Sequence, residues 1–177
     1  MLASLRGGDG EMRAAVRASC LIAAIGISPA FAQTATLLEK FKDWSAYTNG
    51  TPKVCFAVAQ PKTSNPPKAK RGPIFFYISR WPADHVDGEI SVKMGYPFKE
   101  GAKVTLTAGA EKFELFTKEE GAFVEKPDQE AKLVEALKKG GKMKIEGTSM
   151  KGTKTSDEYS LDGAAEALER MAKECAG

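Results

Sequence analysis

His85 is the only histidine of the 177 residues, and it stands in Asp84-His85-Val86-Asp87-Gly88-Glu89. One imidazole among carboxylates is the raw material of a metal site or an acid–base pair. Two features argue for an exposed turn instead. Asp-Gly is a turn dipeptide, and neighbouring residues of an extended turn point in different directions. No second histidine completes a familiar zinc set, so no metal and no catalytic residue is expected. Gly-x-Ser-x-Gly, Walker and Gly-x-Gly-x-x-Gly patterns are absent as well, so no nucleotide or other cofactor is implied. Gly147-Thr148-Ser149-Met150-Lys151-Gly152 is small and polar enough to cradle an anion, but reads more simply as a hairpin connection.

Cysteine is the second reactive type, with three in the chain: Cys20, Cys55 and Cys175. Cys20 lies in an apolar stretch from Ala18 to Ile27 that follows the basic Met12-Arg13-Ala14-Ala15-Val16-Arg17. That stretch is too short to span a bilayer, and Ala30-Phe31-Ala32 supplies small residues for a signal peptidase. Residues 1–32 are therefore expected to be a secretory signal peptide, cut between Ala32 and Gln33, with Met12 an alternative start. A buried apolar helix is the other reading of the same stretch. Export leaves Cys55 and Cys175, and an even pair in an oxidising compartment is most simply a disulfide. Closing a loop of about a hundred residues contributes roughly 4–5 kcal/mol in the chain-entropy model.

Charge supplies the remaining chemistry. Lys62, Lys68, Lys70 and Arg71 cluster in the proline-rich stretch 61–73, which reads as an exposed loop because proline withholds donors from a sheet. Lys138, Lys139, Lys142, Lys144, Lys151 and Lys154 form a second cluster. Such patches suit an acidic protein, an anionic glycan or lipid headgroups, and equally serve as ordinary solubilising charge. Arg80-Trp81 adds an exposed cation and an aromatic ring, or a cover for a sheet edge. The candidate partner contacts are Lys68, Lys70, Arg71, Arg80 and Trp81. The leader carries one of the +3 net charges, leaving +2 on residues 33–177, a balance that does not call for nucleic acid.

These residues need a scaffold, and the apolar pattern describes one. Val54-Cys55-Phe56-Ala57-Val58-Ala59 alternates bulky and small side chains, as a strand apolar on both faces and interior to a sheet would. Residues 44–48, 74–78, 90–94, 104–108, 113–115 and 123–124 also read as strands, with 80–89 a polar turn region. The period then changes to that of a helix over 128–139, closed by Gly140-Gly141. Strands follow at 142–146 and 153–160. Leu161, Ala164, Leu168, Met171 and Cys175 recur at helical spacing, so that a docked C-terminal helix would carry Cys175 towards Cys55. Short strands between glycine and proline turns suggest a sandwich or barrel in one domain, residues 33–177, and no second apolar run reaches membrane-spanning length.

Trp44, Cys55-Phe56-Ala57, Gln60-Pro61-Lys62 and Gly95-Tyr96-Pro97-Phe98 together resemble the invasion-associated locus B proteins of alphaproteobacteria. Lys138-Lys139-Gly140 and the ending Tyr159-Ser160-Leu161-Asp162-Gly163-Ala164 with Cys175 continue the match. The resemblance implies an immunoglobulin-like β-sandwich with appended helices, exported to the periplasm or outer envelope. It implies no catalytic residues, and in pathogenic members it is tied to entry into host cells. The expectation is an exported, non-enzymatic envelope protein that binds a macromolecular partner. The alternatives are a periplasmic enzyme using His85 with Asp84 or Asp87, and a periplasmic chaperone-like or inhibitor protein.

Overall fold

The computed structural model describes residues 35–65 and 71–176, all within the unit Gln33–Gly177. The expected signal peptide and its cleavage site, and also Lys68 and Lys70, lie outside the described residues.

Eleven strands pair antiparallel in one sheet: β1 (Thr36–Phe41), β2 (Trp44–Asn49), β3 (Val54–Ala59), β4 (Thr63–Asn65), β5 (Phe75–Trp81), β6 (Val86–Lys93), β7 (Lys103–Ala108), β8 (Glu111–Lys118), β9 (Gly121–Phe123), β10 (Lys142–Thr148) and β11 (Lys154–Ser160). Their order across the sheet is β1-β2-β3-β5-β6-β9-β8-β7-β10-β11-β4. Strand periodicity sends alternate side chains inward, and these form the core: Trp44, Ala57, Phe76, Ile78, Ile90, Leu106, Leu115 and Ile145 among them. The sheet curls until its two halves meet. Phe76 of β5 packs on Tyr159 of β11 with ring centroids 6.1 Å apart, and the Trp44 indole N–H donates to the Ser160 carbonyl at 3.0 Å. The mainly β, layered architecture is the one expected, and its layers are halves of a single hydrogen-bonded sheet.

Two helices complete the inner side. In α1 (Pro127–Lys138), proline occupies the first turn, Asp128 and Glu130 face the positive end of the dipole, and Lys138 sits at the other end. Leu133, Ala136 and Leu137 are its buried side, packed towards β6, β7 and β8. In α2 (Ala164–Glu174), Ala164, Ala167, Leu168 and Met171 are buried against β1, β2 and β3. Small side chains on the inner face of the sheet, Ala46, Cys55, Ala57 and Ala59, let α2 approach closely. The Cys55–Cys175 disulfide, with S–S 2.06 Å, joins the end of α2 to β3.

Three expectations change. On β3 the small face is buried under α2, while on the bulky face Val54 is buried and Phe56 and Val58 stay half-exposed. Residues 80–89 are mostly strand, with the reversal confined to a 3-10 turn at Pro82–Asp84 followed by His85 at φ 55°. Two strands were not anticipated. β1 has an exposed pattern, and β4 is three polar residues inside the proline-rich stretch, held by pairing to β11.

Candidate interaction surface

The outer face of the sheet carries most of the unburied aromatic side chains. Tyr47 and Phe56 are direct cross-strand partners and stack at 5.3 Å with planes 9° apart. Phe56 meets Tyr77 edge-on at 6.0 Å, and Tyr77 lies 5.7 Å from Phe75 two residues earlier on the same strand. Further across, Tyr77 pairs with Ser91, Ser91 with Phe123, and Phe123 with Phe116, whose rings are 5.6 Å apart. Alternation along β5 puts Trp81 on this side with Phe75 and Tyr77. These contacts hold the rings to one another; each such pair contributes about 0.5–1.5 kcal/mol beyond area burial.

The adjacent row runs Phe75, Lys93, Gly121, Lys118 across β5, β6, β9 and β8. Gly121 has a steric reason. A Cβ there would stand 2.7 Å from Cζ of Phe123, so the glycine lets that ring lie down on the sheet. Lys93 and Lys118 flank the spot, both exposed and without an ion-pair partner among the described residues. The result is a shallow hollow of about 370 Å³ lined by Tyr77, Ser91, Lys93, Lys118, Gly121 and Phe123, and by Glu119 and Glu120 as well. Partial burial pushes the Tyr77 hydroxyl above its ordinary value, so it keeps its proton and remains a donor.

The residues singled out in the sequence fare differently. Arg71, expected as an exposed charge, is buried: its side chain is 5% exposed and ion-paired to Asp157, which is fully buried. Ser64 donates to the same carboxylate oxygen at 2.6 Å, and the Arg71 guanidinium lies 5.7 Å from the Tyr96 ring centroid. Its charge is neutralised inside the fold, which removes it from the set of surface contacts. Arg80 faces the inner side, donating to both Asp87 oxygens at 2.7 and 2.6 Å and to the Ala172 carbonyl at 3.3 Å. It joins the β5–β6 hairpin to α2. Trp81, next to it, turns outward, with its indole nitrogen buried and lacking a hydrogen-bond partner among the described residues.

His85 and Asp84 are exposed, and Asp87 is held by Arg80. Among the described residues no group of three His, Cys, Asp or Glu side chains is placed to hold a metal. In the second lysine cluster Lys138, Lys139 and Lys144 pair with Glu135, Glu111 and Glu146. The aromatic face went unrecognised in the sequence because its members are scattered from Tyr47 to Phe123. The available signal was the i, i+2 pair Phe75 and Tyr77, which reads equally as core.

The chain is a disulfide-tied, mainly β scaffold with unburied rings on the outer face of its sheet. No helix among the described residues is long and apolar enough to cross a membrane. Residues 44–172 match the model of the invasion associated locus B (IalB) protein family, and the chain belongs to that family, as its motifs implied. No curated protein and no solved structure matches the chain. The family is not known as one of enzymes.

Proposed function

We propose that this chain is an exported, non-enzymatic envelope protein that works by binding a macromolecular partner on the outer face of its sheet. The observation that carries this is the two groups of unburied rings on the outer face, Tyr47 to Tyr77 and Phe123 with Phe116, separated by Ser91 and anchored on regular strands. Contiguous apolar surface left open to water is a mark of an interaction site. Export is supported by the leader-like residues 1–32 and by a disulfide, which persists in oxidising compartments. The family's name makes a contribution to host-cell invasion the first biological setting to examine.

Photo-cross-linking tests the face directly. A benzophenone side chain in place of Phe56, in intact cells, is expected to give a discrete high-mass adduct. The same group in place of Glu166, exposed on α2, should not. Equal adducts from both positions, or none from Phe56, overturn the assignment. Protease treatment of intact cells, with a periplasmic control protein, then separates a surface role from a periplasmic one.

A further inference from the structure

The hollow at Gly121 is the most specific feature of the outer face. We propose that it is a subsite for an acidic polysaccharide, a sugar chain bearing carboxylates or sulfates. This deepens the reading of the outer face as a binding surface and rests on it.

The argument begins with ring geometry. Phe123 is laid over Gly121, and Tyr77 stands beside it across Ser91, so two aromatic rings line the hollow. The C–H groups of a sugar ring are weakly positive and are attracted to the negative face of an aromatic ring. Ser91 and the protonated Tyr77 supply hydroxyls in the same hollow for sugar oxygens.

Charge then selects the kind of sugar. Lys93 and Lys118 flank Gly121 on the neighbouring strands, so their backbones stand about 10 Å apart, two interstrand spacings. Their ammonium groups, without an ion-pair partner among the described residues, can meet an acid group on a sugar stacked on the Phe123 ring. Glu119 and Glu120, on the turn after Lys118, line the hollow too and oppose an anion, so the two lysines must outreach them. A second shallow hollow at the Tyr47 end of the aromatic row has Lys40, Lys42, Tyr47 and Phe75 in its lining, together with Asp43, which is paired to Lys62. An extended acidic chain would therefore find rings along its path and lysines at both ends.

The same geometry disfavours a membrane. Peripheral insertion buries apolar side chains about 5–10 Å into the interface, which calls for rings that protrude. Phe123 and Tyr77 are half-buried instead.

Affinity electrophoresis of the mature chain in gels containing polygalacturonate, heparin or neutral dextran tests the proposal. Retardation by the two acidic polymers and not by dextran is expected, weakening with added salt. Lys93→Gln with Lys118→Gln, and separately Phe123→Leu, should each lower affinity about tenfold. The exposed pair Lys112→Gln with Lys142→Gln should leave it unchanged. Because the lysine variants touch no core residue, unchanged melting temperatures keep their result interpretable. Retardation by neither acidic polymer overturns the subsite. So does an equal loss in the Lys112 and Lys142 variant, which would mean undirected charge. Stronger binding to phosphatidylglycerol vesicles, or a dimer in sedimentation that Phe123→Leu dissociates, reassigns the face to a membrane or to a second copy. If polysaccharide binding fails while cross-linking from Phe56 persists, the ligand class is wrong and the binding face stands. Loss of both removes the face.

Discussion

Arg71 and Asp157 form an ion pair sealed inside the curled sheet, and the pair closes the base of the proline-rich stretch. Asp157 on β11 receives Ser64 of β4 from one side and Arg71 from the other, so the chain is pinned on both sides of residues 66–70. Tyr96 and Tyr159 line the same interior, and burial pushes both hydroxyls above their ordinary values.

A buried pair of this kind is costly to break from one side, because the remaining charge has lost both water and partner. Asp157→Asn is expected to destabilise the protein by about 3–5 kcal/mol in urea unfolding. Arg71→Met combined with Asp157→Leu should cost clearly less than the two single replacements added together. Additive losses would show that the pair is not energetically coupled.

Cys55 and Cys175 are both almost wholly buried and are separated by 120 residues. Chain entropy gives roughly 5 kcal/mol for a loop of that length. Cys55→Ala with Cys175→Ala should therefore unfold at markedly lower denaturant than the oxidised parent. Reductant should act on the parent and leave the variant's transition unmoved. A variant as stable as the parent would mean that packing of α2 on β2 and β3 alone carries the tie.

How far the sequence foretold this fold depends on what each pattern measures. Alternation and helical spacing report which side chains are apolar, and they located β2, β3, β5 to β11 and both helices. They also placed Cys175 on the buried side of α2, which made the disulfide legible. Alternation does not say which of two apolar faces receives the helix. On β3 it is the small face, since Ala57 and Ala59 admit α2 where Phe56 would not. Arg71 was misread for a related reason. Its neighbours are proline and lysine, and its partner Asp157 lies 86 residues away, so no local pattern could reveal the pair. β4 exists only because β11 offers it an edge, and that too is a tertiary fact.

Gly163 joins the two ends of the fold at close range. It takes φ 90° at the start of α2, and a Cβ there would lie 2.0 Å from the carbonyl oxygen of Phe41. Gly163→Ala must therefore move α2 or the end of β1, at an expected cost of about 2–4 kcal/mol in urea unfolding. Gly152 provides the comparison. Its φ is 82° but nothing lies within 4 Å of its added Cβ, so Gly152→Ala should cost only about 1 kcal/mol. Equal losses at the two sites would mean that backbone conformation, not the contact with Phe41, dictates glycine at 163.

Glu130 offers a test of electrostatics inside the helix-sheet seam. It accepts the Ile90 amide at 3.0 Å from the first turn of α1, and burial raises its carboxyl above the ordinary 4.5, helped by the nearby charge of Glu89. The amide bond from Ile90 acts in the opposite direction and is outweighed. A carboxyl raised by folding favours the folded state most when protonated, below its unfolded value. That contribution is lost as pH rises through the raised folded value. Glu130→Gln keeps an oxygen for Ile90 and removes the ionisation. The variant and parent should melt together at about pH 4, and the variant should melt higher at about pH 7. The difference should be modest, since water still reaches the carboxyl. A gain already present at about pH 4 would assign the effect to packing, and a loss at about pH 7 would show that the ionised group strengthens the bond to Ile90 more than burial penalises it.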